Sequence, residues 1–198
     1  DKEGGVMAYV IPNNEDSTKY DLYIGAKDGV IANENSSNLF SYFKGVKSIE
    51  FNDNFDTSSA TRMDSMFRAC TNLIALDLSS FDTSMVTSMI SMFSFFDLKE
   101  QKKVSSKLEK IDFGVSFITK DVTSMNDMFY GCSLLKMLDL SNFDTSNVTD
   151  MYHMFAGCES LAEINLCTFD TSKVTNMREM FGNTSKVMAI YVGPNWTT

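Results

Sequence analysis

Four groups of residues in this 198-residue chain have types and spacing that could do chemistry. The tetrapeptide Phe-Asp-Thr-Ser starts at Phe55, Phe81, Phe143 and Phe169, with a degenerate copy, Phe-Ile-Thr-Lys, at Phe117. An aspartate followed by hydroxyls can ligate calcium, or it can satisfy main-chain donors in a tight turn. Calcium repeats carry more carboxylates and glycines than one Asp per turn, so the turn role is expected and no metal is assigned. Three cysteines, Cys70, Cys132 and Cys158, share one position of a repeating pattern, and Cys167 stands apart. Phe96 and Thr184 replace the shared cysteine in other copies, which points to buried space-fillers. Cys132 and Cys158 fall in adjacent copies, where stacked, parallel Cβ vectors fit a disulfide poorly. His153 is the only histidine, with no Cys or Ser poised beside it for a triad. A Gly-rich phosphate loop is also missing. The expectation is a protein that is not an enzyme and takes no cofactor.

The fourth group is charged. Glu50, Asp77, Asp112 and Asp139 recur at one position of the pattern, followed there by Asn165 and Tyr191. Like charges in neighbouring turns repel by something under about 1 kcal/mol per pair in water. A strand surface without a task would more readily hold Thr or Val. These four residues are therefore candidate binding residues, together with Lys99, Lys102, Lys103 and Lys107 of a charged segment.

All four groups belong to a repeat. With the Phe of each Phe-Asp-Thr-Ser at column 1, units start at 55, 81, 117, 143 and 169. Columns 9 and 12 are Met in every unit and column 13 is Phe, which accounts for ten of the 14 Met. Columns 9, 12, 13 and 16 follow i, i+3, i+4, i+7, the apolar stripe of a short helix. The column 7 Thr, Thr123 for example, would be its N-cap. Columns 22 and 24 alternate as a short strand does. One helix and one strand cannot bury a face alone, but stacked copies can. The expected fold is α/β: a leucine-rich-repeat-like solenoid with one short helix and one short parallel strand per 26-residue repeat, column 23 facing outward on its sheet.

A half-unit with Leu39, Phe40, Phe43, Val46, Ile49 and Phe51 precedes the first full unit. Upstream, Val6–Ile11 and Tyr20–Ile24 are β-rich runs around a turn at 12–17. Residues 1–27 are expected to be an N-terminal β-hairpin cap, and 28–198 the repeat domain. Unit two carries about nine extra residues between Phe96 and Leu108, read as an exposed loop at one edge. Trp196-Thr197-Thr198 falls where another Phe-Asp-Thr would begin.

The pattern Val-Thr-x-Met-x-x-Met-Phe-x-x-Cys-x-x-Leu-x-x-Leu-x-Leu-Ser-x-Phe-Asp-Thr-Ser resembles the BspA-like bacterial surface proteins over roughly residues 28 to 198. The position that usually holds Asn in leucine-rich repeats carries Phe here. The resemblance implies an extracellular or cell-wall location and a binding or adhesion domain whose concave sheet meets a host or bacterial protein or a glycan. A structural spacer within a larger surface protein is the alternative. The net charge of −9 disfavours nucleic acid and anionic membranes. No apolar run approaches the roughly 18 residues of a membrane span. A monomer is expected.

Overall fold

The computed structural model describes residues 7–12, 20–25, 29–51 and 55–197. It overturns the α/β solenoid: no helix occurs among the described residues, only short strands and turns. The i, i+3, i+4, i+7 stripe is real and buried, but it is built differently. Column 11 takes left-handed backbone in every unit, at Ser65, Ser91, Asp127, His153 and Glu179, with φ between 52° and 56°. Column 15 does so again at Ala69, Gly131, Gly157 and Asn183. A left-handed residue every fourth position interrupts a right-handed helix before it can close its i→i−4 bonds.

The main-chain bonds are shared out instead. N–H groups of columns 12 and 14 close tight turns on carbonyls three residues back, as Met128 does on Met125 (3.2 Å) and Tyr130 on Asp127 (3.0 Å). N–H groups of columns 9, 11, 13 and 15 point away and donate to the next coil. Met125, Asp127, Phe129 and Gly131 donate to the carbonyls of Asp150, Tyr152, Met154 and Ala156 at 2.8–3.0 Å. The same four bonds recur from the half-unit onward: Ser36, Asn38, Phe40 and Tyr42 donate to Arg62, Asp64, Met66 and Arg68. Column 8 forms a parallel bridge ladder, Asn35–Arg62–Ser88–Ser124–Asp150–Asn176. Each 26-residue unit is therefore one coil of a hydrogen-bonded stack.

Two threonine columns hold the coils together. The column 7 Thr caps no helix: Thr149 donates from both N–H (2.9 Å) and Oγ1 (3.1 Å) to the Thr123 carbonyl of the preceding coil. The column 3 Thr of Phe-Asp-Thr-Ser is buried between coils. Thr119 Oγ1 donates to the Asp144 carbonyl and accepts from the Asp144 N–H, both at 2.9 Å. Inside, the column 13 rings of Phe40, Phe67, Phe93, Phe129, Phe155 and Phe181 stack with centroids 5.5–5.8 Å apart and planes within 10°. Methionines of columns 9 and 12 fill the space beside them.

Strands are sparse. β1 (Met7–Pro12) pairs antiparallel with β2 (Tyr20–Gly25) as the sequence suggested. Residues 13–19, within the expected turn at 12–17 and beyond it, and the side chains on which a capping role for 1–27 would rest lie outside the described residues. β3 (Val30–Ile31) pairs in parallel with β4 (Phe55–Asp56). β5 (Ala75–Asp77) lies next in the chain. β6 (Phe96–Asp97) and β7 (Lys102–Lys103) form an antiparallel hairpin, so the charged insertion is folded and not an open loop. β5 pairs in parallel with β8 (Lys110–Asp112), and β9 (Glu163–Leu166) with β10 (Ala189–Val192). Residues 135–140 between those pairs carry no strand, so the expected continuous concave sheet is absent. Trp196 and Thr197 do take the register of another coil: Thr171 Oγ1 accepts from the Thr197 N–H (2.6 Å) and donates to its carbonyl (2.9 Å).

Candidate functional site

The acidic column has a structural explanation. Asp77, Asp112 and Asp139 are exposed, and each Oδ1 accepts the N–H two residues on, from Ser79 (2.9 Å), Gly114 (3.4 Å) and Ser141 (3.0 Å). Asn165 makes the same bond to Cys167 at 3.1 Å, so the column selects an acceptor and not a charge. The Ser79 hydroxyl and N–H hold Asp77 below the usual carboxylate range, and the Ser141 N–H and hydroxyl do the same for Asp139. Glu50 is exposed on the half-unit. Phe-Asp-Thr-Ser repeats the device: Asp144 accepts from Ser146 at 3.0 Å and Asp170 from Ser172 at 2.9 Å. Lys110 stands 3.6 Å from Asp112, but the insertion lysines do not join this column.

Lys99, Lys102 and Lys103 belong to the β6–β7 hairpin. Asp97 is its anchor and only 1% exposed. Burial raises its carboxyl, but Lys44 Nζ at 3.0 Å and the N–H groups of Lys99 and Glu100 outweigh that and hold it low. The Leu98 N–H donates to the Tyr42 hydroxyl at 2.9 Å, and Lys99 Nζ lies 5.7 Å from the Tyr42 ring centre. Lys102 pairs with Glu100 at 2.6 Å, Lys103 with Glu159, and Lys107 is exposed. The hairpin thus clamps the half-unit at one end and the fourth full coil at the other.

Beside it the left-handed columns build a groove of about 530 Å³, bordered by Lys103, Tyr130, His153, Gly157, Glu159 and Glu179 among others. In the later coils the column 11 side chains of Asp127, His153 and Glu179 follow one another along the stack, half-buried to exposed, whereas Ser65 and Ser91 at that column are buried. The His153 ring therefore lies between two carboxylates, with Nδ1 3.4 Å from Asp127 Oδ1 and Nε2 3.1 Å from Glu179 Oε2. Its ring centre is 3.7 Å from that of Tyr152 and 5.6 Å from that of Tyr130. Burial raises the Asp127 carboxyl, partly offset by His153 and Arg68, whereas the His153 hydrogen bond lowers Glu179. A side chain would be crowded in the floor: at Gly157, with φ of 74°, a Cβ would stand 3.3 Å from the Gly131 Cα.

Beneath the hairpin, buried Arg68 donates from Nε to the Phe96 carbonyl (2.7 Å) and from Nη1 to Ser65 Oγ (3.3 Å). Burial lowers its guanidinium from the ordinary value. The three repeat cysteines are free and buried, and each thiol reaches a column 13 carbonyl of the preceding coil, as Cys158 does to Phe129 at 3.2 Å. Burial pushes Cys70 up to about 11 and Cys158 to about 12, so neither is a nucleophile near neutral pH. No cluster of His, Cys, Asp and Glu able to hold a metal occurs among the described residues. What the groove can do is bind, through aromatic edges, carboxylate acceptors, an imidazole and one ammonium.

In the sequence His153 stands out only as a single histidine without triad partners, and the groove was not foreseen. The available signal was Gly131, Gly157 and Asn183, which repeat four residues after the polar column 11.

A family model described as "Mycoplasma protein of unknown function, DUF285" matches residues 34–112 and 95–196. No curated protein and no solved structure matches the chain.

Proposed function

The chain belongs to the DUF285 family, and on that premise we propose that it is a non-enzymatic binding segment of a bacterial surface or secreted protein, holding a glycan in the groove beside the β6–β7 hairpin. The observation that carries this reading is the groove itself, about 530 Å³, where the carboxylate–imidazole–carboxylate row of Asp127, His153 and Glu179 meets the Tyr130 ring. Sugars present hydroxyls to carboxylate acceptors, and the C–H face of a pyranose packs against an aromatic ring. The resemblance of the repeat to BspA-like proteins supports the surface location and the adhesive role. A protein partner would use the same groups.

The test is a glycan array and a panel of matrix proteins, probed with the wild-type chain and with Tyr130→Ala and Glu179→Gln. Binding to a glycan set that falls at least tenfold in both variants supports the reading, provided their melting is unchanged. Undiminished binding by both overturns the site, and no binding to any glycan overturns the ligand class. The spacer reading has one observation in its favour, the uninterrupted Phe40-to-Phe181 ring stack, which suits a rod with no preferred surface.

A further inference from the structure

A neutral imidazole carries one N–H and one bare nitrogen, and only the imidazolium donates from both. His153 has a carboxylate at each ring nitrogen, with Asp127 Oδ1 3.4 Å from Nδ1 and Glu179 Oε2 3.1 Å from Nε2. Both contacts are attractive only while the ring holds its second proton. Without it, one nitrogen turns a lone pair toward an anionic oxygen. The His153 side chain is only 18% exposed, so water screens that repulsion little. The row therefore has two states, and one proton separates them.

The surroundings decide which contact opens. Asp127 is half-buried, and no donor other than His153 reaches its carboxylate among the described residues. Arg68 and Asp150 act on it through charge alone, in opposite directions. Glu179 has a second partner, with Arg178 Nη2 3.3 Å from Oε1. The single N–H of a neutral ring thus stays on Nδ1 with Asp127, and Glu179 turns to Arg178. The Tyr152 and Tyr130 rings flank the imidazole, and Lys103 and Glu159 at the groove border pair with each other.

We propose that the Asp127–His153–Glu179 row is a proton-operated latch on the groove: with two protons on the ring it holds Glu179 against His153, and on losing one it releases Glu179 to Arg178. Glu179 borders the groove, so the latch sets whether that wall is fixed or loose. A loose wall must be ordered again when a ligand enters, which weakens binding about two- to tenfold. Binding is therefore tighter in mild acid. This consequence rests on the groove holding a glycan, whereas the latch itself does not.

His153 is the only histidine, so its ring gives the only imidazole signals of the ¹⁵N-labelled full chain. Spectra at about pH 5.5 and about pH 8.5 bracket the ordinary imidazole value of about 6.5. The expected result is protons on both ring nitrogens at the lower pH and on Nδ1 alone at the higher, with the Glu179 carboxyl signal shifting between them. A proton kept on Nε2 at the higher pH overturns the latch. The glycan array, run at both pH values, reads the consequence. Wild-type binding should be about two- to tenfold weaker at the higher pH. His153→Gln, whose amide has the same charge at both, should bind equally at both. Should that variant lose its melting transition, His153→Asn takes its place. An equal fall in the variant, or no fall in the wild type, overturns the latch's control of binding. Absence of glycan binding at either pH sinks the proposed function, and the ring nitrogens then decide the latch by themselves.

Discussion

The Thr145 hydroxyl donates to the Asp170 carbonyl at 2.9 Å and accepts from the Asp170 N–H at 2.8 Å, closing a two-way bond between residues 25 apart in the chain. The side chain replaces a rung of main-chain pairing, in a position where water does not reach. Thr145→Val keeps the volume and removes both bonds. The expected loss is about 2–3 kcal/mol, with Thr145→Ser costing less. Urea unfolding of the three proteins measures it.

Phe129 lies between Phe93 and Phe155 in the ring stack, at 5.5 and 5.6 Å. Phe129→Ala is expected to destabilise by about 3–5 kcal/mol. Phe181→Ala, at the half-buried end of the same column, should cost clearly less. Thermal melts showing equal losses would mean that the end coil is covered.

Column 15 gives a pair of substitutions with opposite signs. Ala69 takes φ of 54°, so Ala69→Gly relieves left-handed strain and is expected to be neutral or stabilising by up to about 1 kcal/mol. At Gly131, φ is 75° and a Cβ would sit 3.2 Å from Phe95 Cβ, so Gly131→Ala should destabilise by at least about 1 kcal/mol. Chemical denaturation of both variants checks the signs.

The turn aspartates fix the sign of the acid dependence. Asp56, Asp77, Asp139 and Asp170 are all lowered by bonds from the serine two residues on. Their contribution is present above the unfolded value near 3.9 and is lost as pH falls through the lower folded values. Stability should therefore fall below about pH 4. Asp77→Asn with Asp139→Asn should preserve stability at pH 7, because Asn165 already makes this bond, and should flatten the acid limb. Denaturation midpoints between pH 2 and 7 test both halves.

The hairpin is expected to resist trypsin as long as Asp97 holds it. Asp97→Ala removes the bonds from Lys44, Lys99 and Glu100, and cleavage after Lys99, Lys102 or Lys103 should then appear first. Equal digestion of wild type and variant would contradict the anchoring role.

Much of this architecture was legible in the sequence. The Met and Phe columns gave the register, and every coil-to-coil bond falls in it, from Phe40 to Phe155. The path of the chain was not legible, because a stripe at 9, 12, 13 and 16 suits a helix and a chain of tight turns equally well. Ser65, Asp127 and Glu179 do not announce left-handed backbone as glycine would. The turn role of the acidic column was also harder to see: Asp77 and Asp139 stand out as surface charge, although the serine two residues on, and Asn165 in their column, mark them as turn acceptors as well. The groove depends on Lys103 meeting Glu159 across 56 residues, which no local pattern encodes.

The central claim is that each repeat is a non-helical coil whose column 13 amide bonds to the next coil. The most direct measurement is the scalar coupling transmitted across hydrogen bonds in a uniformly ¹⁵N,¹³C-labelled sample. The Phe129 amide nitrogen should couple to the Met154 carbonyl carbon, matching its 2.9 Å bond to that oxygen. A coupling from Phe129 to the Met125 carbonyl instead would place a helix there and contradict the account.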